Sequence, residues 1–341
     1  MTPTTARRGP AGFEERLLPM LVEALEERRQ LPVGRPARPK SARRRWALAI
    51  GVVAGAAALA LVAPTLLPGG PTGANPAAAS MLRQVARRAA AQPAEPALGP
   101  GQCLYTRTQS VQTSTYVVGN GGQNFQFIQP LTRELWVATD GSGRTLEKSG
   151  LVTFPTPDDE AAWIAAGSPD LSEGQVTDDT YGPGELLYQD YSDLPTDPGE
   201  LKTVIEERVI VGGPDGDWET FSIVGDLLRE TYTQPAVRGA LYEVAADLPG
   251  VELVGRVEDA AGRPGVAVAY THEGIRQEFI FDPQTAVLLG ERYVLVDAST
   301  VDVESGGPGA IYGLVGPAGT VGYEATYFDP GIVDSLSERP S

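Results

Sequence analysis

The chain holds one histidine and one cysteine. That excludes a disulfide within one chain and any metal site needing two or more His or Cys ligands. His272 lies in the segment THEG beside Glu273, between two runs of strand-forming residues, and is expected on a solvent-exposed hairpin turn. As a catalytic base it would need a serine and an orienting aspartate that no pattern supplies. Cys103 lies in QCLYTRTQ, a run of strand character, and is expected to be buried and inert. There is no GxSxG elbow, P-loop or Ser-x-x-Lys motif. Gly306, Gly307, Gly309, Gly313 and Gly316 do not space as GxGxxG and read as loop.

Residues 157 to 219 carry 17 Asp or Glu against Lys202 and Arg208. Asp158-Asp159, Asp178-Asp179 and Asp215-Gly216-Asp217 could in principle hold calcium, but none has EF-hand spacing. Asp158 to Glu160 fits the start of a helix, where carboxylates offset the helix dipole. The region reads as a solvated acidic surface. No catalytic residue, cofactor or metal ligand is assigned, and the chain is read as non-enzymatic.

Charge and hydropathy say where these elements sit. The net charge of −17 over 341 residues argues against nucleic acid as a partner, because an acidic surface repels phosphates. Residues 1 to 45 nevertheless carry 11 Arg or Lys against 5 Glu, leaving the remainder at −23. Between the two parts, Trp46 to Leu67 runs for 22 residues without a charged side chain. At about 1.5 Å per residue that length crosses a bilayer as one transmembrane helix. Arg43, Arg44 and Arg45 abut its start, and no Lys or Arg follows until Arg83. The positive flank is expected on the cytoplasmic side, with the C-terminal part outside the cell membrane. Two features leave room for a cleaved export signal instead: the small residues Ala77 to Ala79, and SARRRWAL at Ser41 to Leu48, which loosely resembles a twin-arginine signal.

In the inner segment, Phe13, Leu17, Met20, Leu21, Ala24 and Leu25 recur at helical spacing over residues 13 to 29. One amphipathic helix cannot bury its own stripe, so the segment is expected to dock on a cytoplasmic protein partner, or else to lie on the membrane or be a disordered tail. Residues 68 to 100 are expected to form a stalk and a helix from Pro76 to about Ala91, capped by Asn75.

Residues 101 to 330 read as an extracytoplasmic α+β domain, followed by a mobile tail over 331 to 341. Strands are expected at Cys103 to Val118, Asn124 to Val137 and Arg144 to Thr153. A four-stranded antiparallel meander follows at Val251 to Val257, Val266 to Tyr270, Ile275 to Phe281 and Val287 to Val296, since its connections are too short for parallel crossovers. A last strand is expected at Tyr323 to Phe328. Helices are expected at Asp158 to Ala166, Pro198 to Arg208, Trp218 to Tyr232 and Pro235 to Asp247. The meander has more apolar positions than four strands can hide unaided. One curved antiparallel sheet with helices packed on its apolar face is therefore expected. The helices would either leave an apolar groove or fill it with Phe221, Val224, Leu228, Leu241 and Val244.

The pattern LLRE…ALYEVAADLPGVELVGRVEDAAGRPGVAVAY, Leu227 to Tyr270, with FIFDPQTAVLLGE at Phe279 to Glu291, resembles a family of actinobacterial single-pass membrane proteins. These are often encoded beside extracytoplasmic-function sigma factors, and the resemblance spans about residues 40 to 300. The meander also looks like the half-barrel of lipoprotein carriers and of periplasmic co-regulators of anti-sigma factors. The resemblance implies a membrane-anchored extracytoplasmic sensor or regulator linked to a sigma factor. The alternative is a tethered carrier for an apolar ligand such as a lipid or lipoprotein. The His-x-x-x-Cys-x-x-Cys signature of many anti-sigma factors is absent.

Overall fold

The computed structural model describes residues 74–94, 96–116, 118, 123–186, 194–207, 216–230, 234–297 and 316–340. All lie in one compact unit, Leu67–Ser341. The expected membrane span from Trp46 to Leu67, its flank Arg43 to Arg45, the inner helix over 13–29 and most of the glycine-rich run lie outside the described residues. Among the described residues no helix is long and apolar enough to cross a membrane.

The first helix, α1, is Pro76–Ala90. It starts where Asn75 caps it, the Asn75 side chain accepting from the Ala77 N–H at 2.9 Å, and Pro76 supplies a preset φ at the first position. Its buried face consists of Ala78, Ala79, Leu82, Val85, Ala86 and Ala89. Small residues there allow a close approach by α5, Pro235–Asp247. A Cβ on Gly239 of α5 would lie 3.0 Å from the Ala86 carbonyl oxygen, so glycine is what this contact admits. The other helices are α2 (Pro157–Ala165), α3 (Pro198–Glu206) and α4 (Gly216–Glu230).

Among the described residues, ten strands form a single antiparallel sheet. They are β1 (Cys103–Tyr116), β2 (Phe125–Ala138), β3 (Gly143–Ser149), β4 (Val176–Tyr181), β5 (Glu252–Glu258), β6 (Pro264–His272), β7 (Ile275–Phe281), β8 (Leu288–Leu295), β9 (Val321–Tyr327) and β10 (Gly331–Val333). Their order is β4-β3-β2-β1-β9-β8-β7-β6-β5, with β10 also paired to β1. The early hairpins and the meander thus share one sheet, as expected. Strand β9 joins the two halves, pairing β1 on one side and β8 on the other. Register shifts in β5, β8 and β9 mark bulges, which bend a sheet.

The helix-bearing face is close-packed. Phe221 and Val224 of α4 and Leu241 and Val244 of α5 are buried against Val266, Val268, Phe279 and Phe281. Phe221 stacks on Phe279 with ring centroids 4.5 Å apart. Gly225 faces the same ring, and a Cβ there would lie 2.0 Å from Phe279 Cζ. Among the described residues this region is filled rather than open.

Two parts of the chain differ from the sequence-based expectation. Strand β4, VTDDTY, lies within the segment expected to be solvated acidic surface. It is an edge strand with most side chains exposed, so it carries no apolar alternation to betray it. The expected mobile tail over 331–341 is corrected as well. Its first residues form β10, with Val333 opposite Cys103, and Val333 is buried beside Tyr105, Trp136 and Leu146. The Trp136 indole N–H donates to the Glu338 carbonyl at 2.6 Å. An apolar anchor and a buried indole partner hold this segment to the sheet.

Candidate functional site

The sequence-derived candidates are dispersed. His272 is the last residue of β6, paired with Ile275, because the turn takes only Glu273 and Gly274, with φ of 43° and 77°. Positive φ at both central residues is the geometry of the two-residue hairpin. The expectation of an exposed His272 is therefore corrected: its side chain is 13% exposed and stacks on Trp218 of α4 at 5.4 Å. Cys103 is buried at the start of β1, as expected. Burial, aided by Asp140, pushes its thiol pKa upward, which makes it less reactive.

The acidic pairs have structural partners. Asp159 accepts from the Gln126 backbone N–H at 2.8 Å and from the Thr156 hydroxyl at 2.5 Å, tying α2 to β2. Asp178 binds Arg144 through two hydrogen bonds of 2.7 and 2.8 Å across β3 and β4. Asp215 lies outside the described residues. Among the described residues no group of three or more His, Cys, Asp or Glu could hold a metal ion.

Two polar assemblies are legible only in three dimensions. One lies under α4, on the helix-bearing face. The Ser222 hydroxyl donates to Gln277 Oε1 at 2.8 Å, and Gln277 Nε2 donates to the Tyr293 hydroxyl at 2.8 Å. Farther along α4, Arg229 Nη1 donates to Glu291 Oε1 at 2.8 Å and also pairs with Asp226. The Glu291 side chain is only 2% exposed. Burial pushes its carboxyl above the usual range, with Arg229 opposing. Burial and then the Glu291 charge push the nearby Tyr327 hydroxyl upward. These contacts orient α4 on the sheet.

The other assembly lies on the opposite face. Thr108 pairs with Tyr327, which belongs to the helix-side core, so its neighbour Arg107 points to the other side with Tyr105. Across the strands Arg107 faces Glu134, which faces Leu146, and Thr132 faces Lys148. Glu134 is not bonded to Arg107. Its side chain, 9% exposed, accepts from Arg339 at 2.5 and 2.9 Å and from the Tyr105 hydroxyl at 2.6 Å. The hydrogen bond from Arg339 holds the Glu134 carboxyl at about 2, with Tyr105 assisting against burial. Arg107, Thr132, Glu134, Leu146, Lys148 and Arg339 line a cleft of about 380 Å³. Three cations and one carboxylate make its lining net positive in a chain of net charge −17.

Arg107 makes no ion pair with the carboxylate it faces. Its guanidinium sits 4.8 Å from the centre of the Phe328 ring, and its Nε is buried with no hydrogen-bond acceptor. Nothing in the sequence singled out Arg107, Glu134 or Arg339. The only available signal was cross-strand register, which would have required knowing the β1–β2 pairing.

The fold and this cleft define an α+β protein with helices on one face of a ten-stranded antiparallel sheet and a C-terminal clasp on the other. No family model and no curated protein matches the chain.

Proposed function

We propose that this chain is a membrane-anchored extracytoplasmic sensor or regulator. Residues 46–67 span the cell membrane, and residues 13–29 engage a cytoplasmic protein, by resemblance a sigma factor or its regulator. The carrying observation is the uncharged 22-residue segment behind Arg43, Arg44 and Arg45. Such a segment supports an inside N-terminus with the sheet domain outside. The role is non-enzymatic, and the outer domain acts by binding. The alternative, a tethered carrier of lipid or lipoprotein, needs an apolar groove on the helix-bearing face. Support for it is weaker, because Phe221, Val224, Leu241 and Val244 fill that position.

Topology and partner are tested together. A reporter fused after Ser341 should be active only outside the cytoplasm, and one fused before Met1 only inside. A photocrosslinker at Leu17 or Leu21 of the full chain in its native membrane should capture a sigma factor or its regulator, whereas one at Glu23 on the polar side should not. The reverse reporter pattern overturns the anchor. Crosslinks to lipid alone from both apolar positions overturn the cytoplasmic partner.

A further inference from the structure

The cleft between β1, β2, β3 and the C-terminal segment lies on the face opposite the helices and takes no part in their packing. We infer that it is a binding site for a small oxyanion, a carboxylate or phosphate group, held chiefly by Arg107 and Lys148 beside the Arg339–Glu134 pair. This holds whether or not the regulatory reading does.

The first reason is charge. Arg107 and Glu134 are directly opposed on β1 and β2, the arrangement in which an arginine and a glutamate ordinarily pair. Here the carboxylate is taken by Arg339 and Tyr105, which arrive from outside the pair. Arg107 is left charged, and Lys148 on β3 adds a second cation to the same lining. Another carboxylate on this face, Asp178, is committed to Arg144 through both of its oxygens.

The second reason is the orphaned donor. Buried side-chain N–H groups almost always have an acceptor, and one without shows that the protein itself supplies no partner there. Arg107 Nε is such a group. Phe328 lies against the Arg107 guanidinium, and Arg263 also lies against Phe328, 5.5 Å from the ring centre, so two guanidinium groups contact the one ring. Arg263 is itself fixed, donating to the Leu289 and Tyr327 carbonyls at 2.8 and 2.7 Å. Arg107 is thereby positioned before a ligand arrives, which lowers the ordering cost of binding.

The chemistry follows from the groups present. A guanidinium offers a planar fork of donors suited to carboxylate or phosphate, and an ammonium adds a second charge. The Thr132 side chain in the same lining can add a neutral hydroxyl donor. Leu146 is the one apolar residue of the lining, which leaves little to hold a greasy ligand.

The test is calorimetric titration of the full chain in detergent micelles, at constant ionic strength set with chloride. Inorganic phosphate is the probe in one arm and citrate in the other. Binding of phosphate but not citrate identifies a phosphoryl ligand, and the reverse identifies a carboxylate ligand. In either case the expected stoichiometry is one per chain. Arg107→Met, which keeps the stem against Phe328, should weaken binding about tenfold or more, consistent with losing one charge-assisted contact. Lys148→Met, at an exposed position, should weaken it less and leave the fold intact. Arg133→Met, on the other face of β2, should change nothing. The inference is overturned if neither probe binds the folded chain, or if Lys148→Met and a folded Arg107→Met both bind like the parent.

Discussion

Glu134 on β2 and Arg339 in the C-terminal segment, 205 residues apart in sequence, meet through two hydrogen bonds. The carboxylate is nearly buried, whereas the arginine is 48% exposed. Removing Arg339 leaves a buried charge with only Tyr105 to bond it, which is costlier than the pair itself is stabilising. Arg339→Ala should therefore lower stability in urea titration by about 1–3 kcal/mol, a range reduced for solvent screening at the exposed end. Arg339→Lys should fall between, since an ammonium cannot match the two-pronged contact. An unchanged urea midpoint for Arg339→Ala would remove the clasp as a stabilising element.

The same pair sets an acid limit. The folded-state value of Glu134 is about 2, below the ordinary carboxylate value of 4.5. A carboxyl depressed on folding contributes stability that is complete above its unfolded value. That contribution is lost as pH falls from 4.5 towards about 2. Thermal melts between about pH 6 and about pH 3 should show a steeper loss in the parent than in Arg339→Ala, where the carboxyl is no longer held low. Identical slopes would refute the assignment.

Gly225 in α4 tests the close packing. On propensity alone, alanine in a helix interior is better than glycine by about 1 kcal/mol. A Cβ there would lie 2.0 Å from Phe279 Cζ, and that ring is buried and stacked on Phe221. Gly225→Ala should therefore destabilise by about 1–3 kcal/mol, with the packing term winning. A neutral or stabilising effect would mean that space exists beneath α4, and would revive the groove.

A double-substitution cycle isolates the Arg229–Glu291 pair. Arg229→Met alone leaves Glu291 buried beneath α4 without its cation, at a cost of about 3–5 kcal/mol. Adding Glu291→Leu should recover most of that loss, because a packed apolar pair often matches a buried ion pair. Equal losses in the single and double variants would show that the two residues are not coupled.

Elements whose signals are local were legible in the amino-acid order. Helix α5 runs from Pro235 to Asp247 as read, because Pro235 presets the first turn and the apolar positions repeat at helical spacing. Strand β7, Ile275–Phe281, is bounded by short turns and has the limits read from them. The placement of both hairpin systems in one sheet also followed, because the meander exposes too much apolar surface to stand alone.

The rest depended on partners distant in sequence. The uncharged run from Trp46 to Leu67 and its basic flank are properties of composition and need no fold to be read. Strand β10 is three residues long and is held by Cys103 and Trp136 from the far end of the unit, so no local pattern announces it. Glu273 adopts a positive φ without being glycine, which shortened the turn and drew His272 under Trp218. Arg107 and Arg339 read alike in sequence, as charged residues on strand or tail. One is left without an acceptor at its Nε and the other clasps Glu134. A charged side chain's pairing is set by which strands lie side by side, and that is decided by long-range burial rather than by the residues next to it.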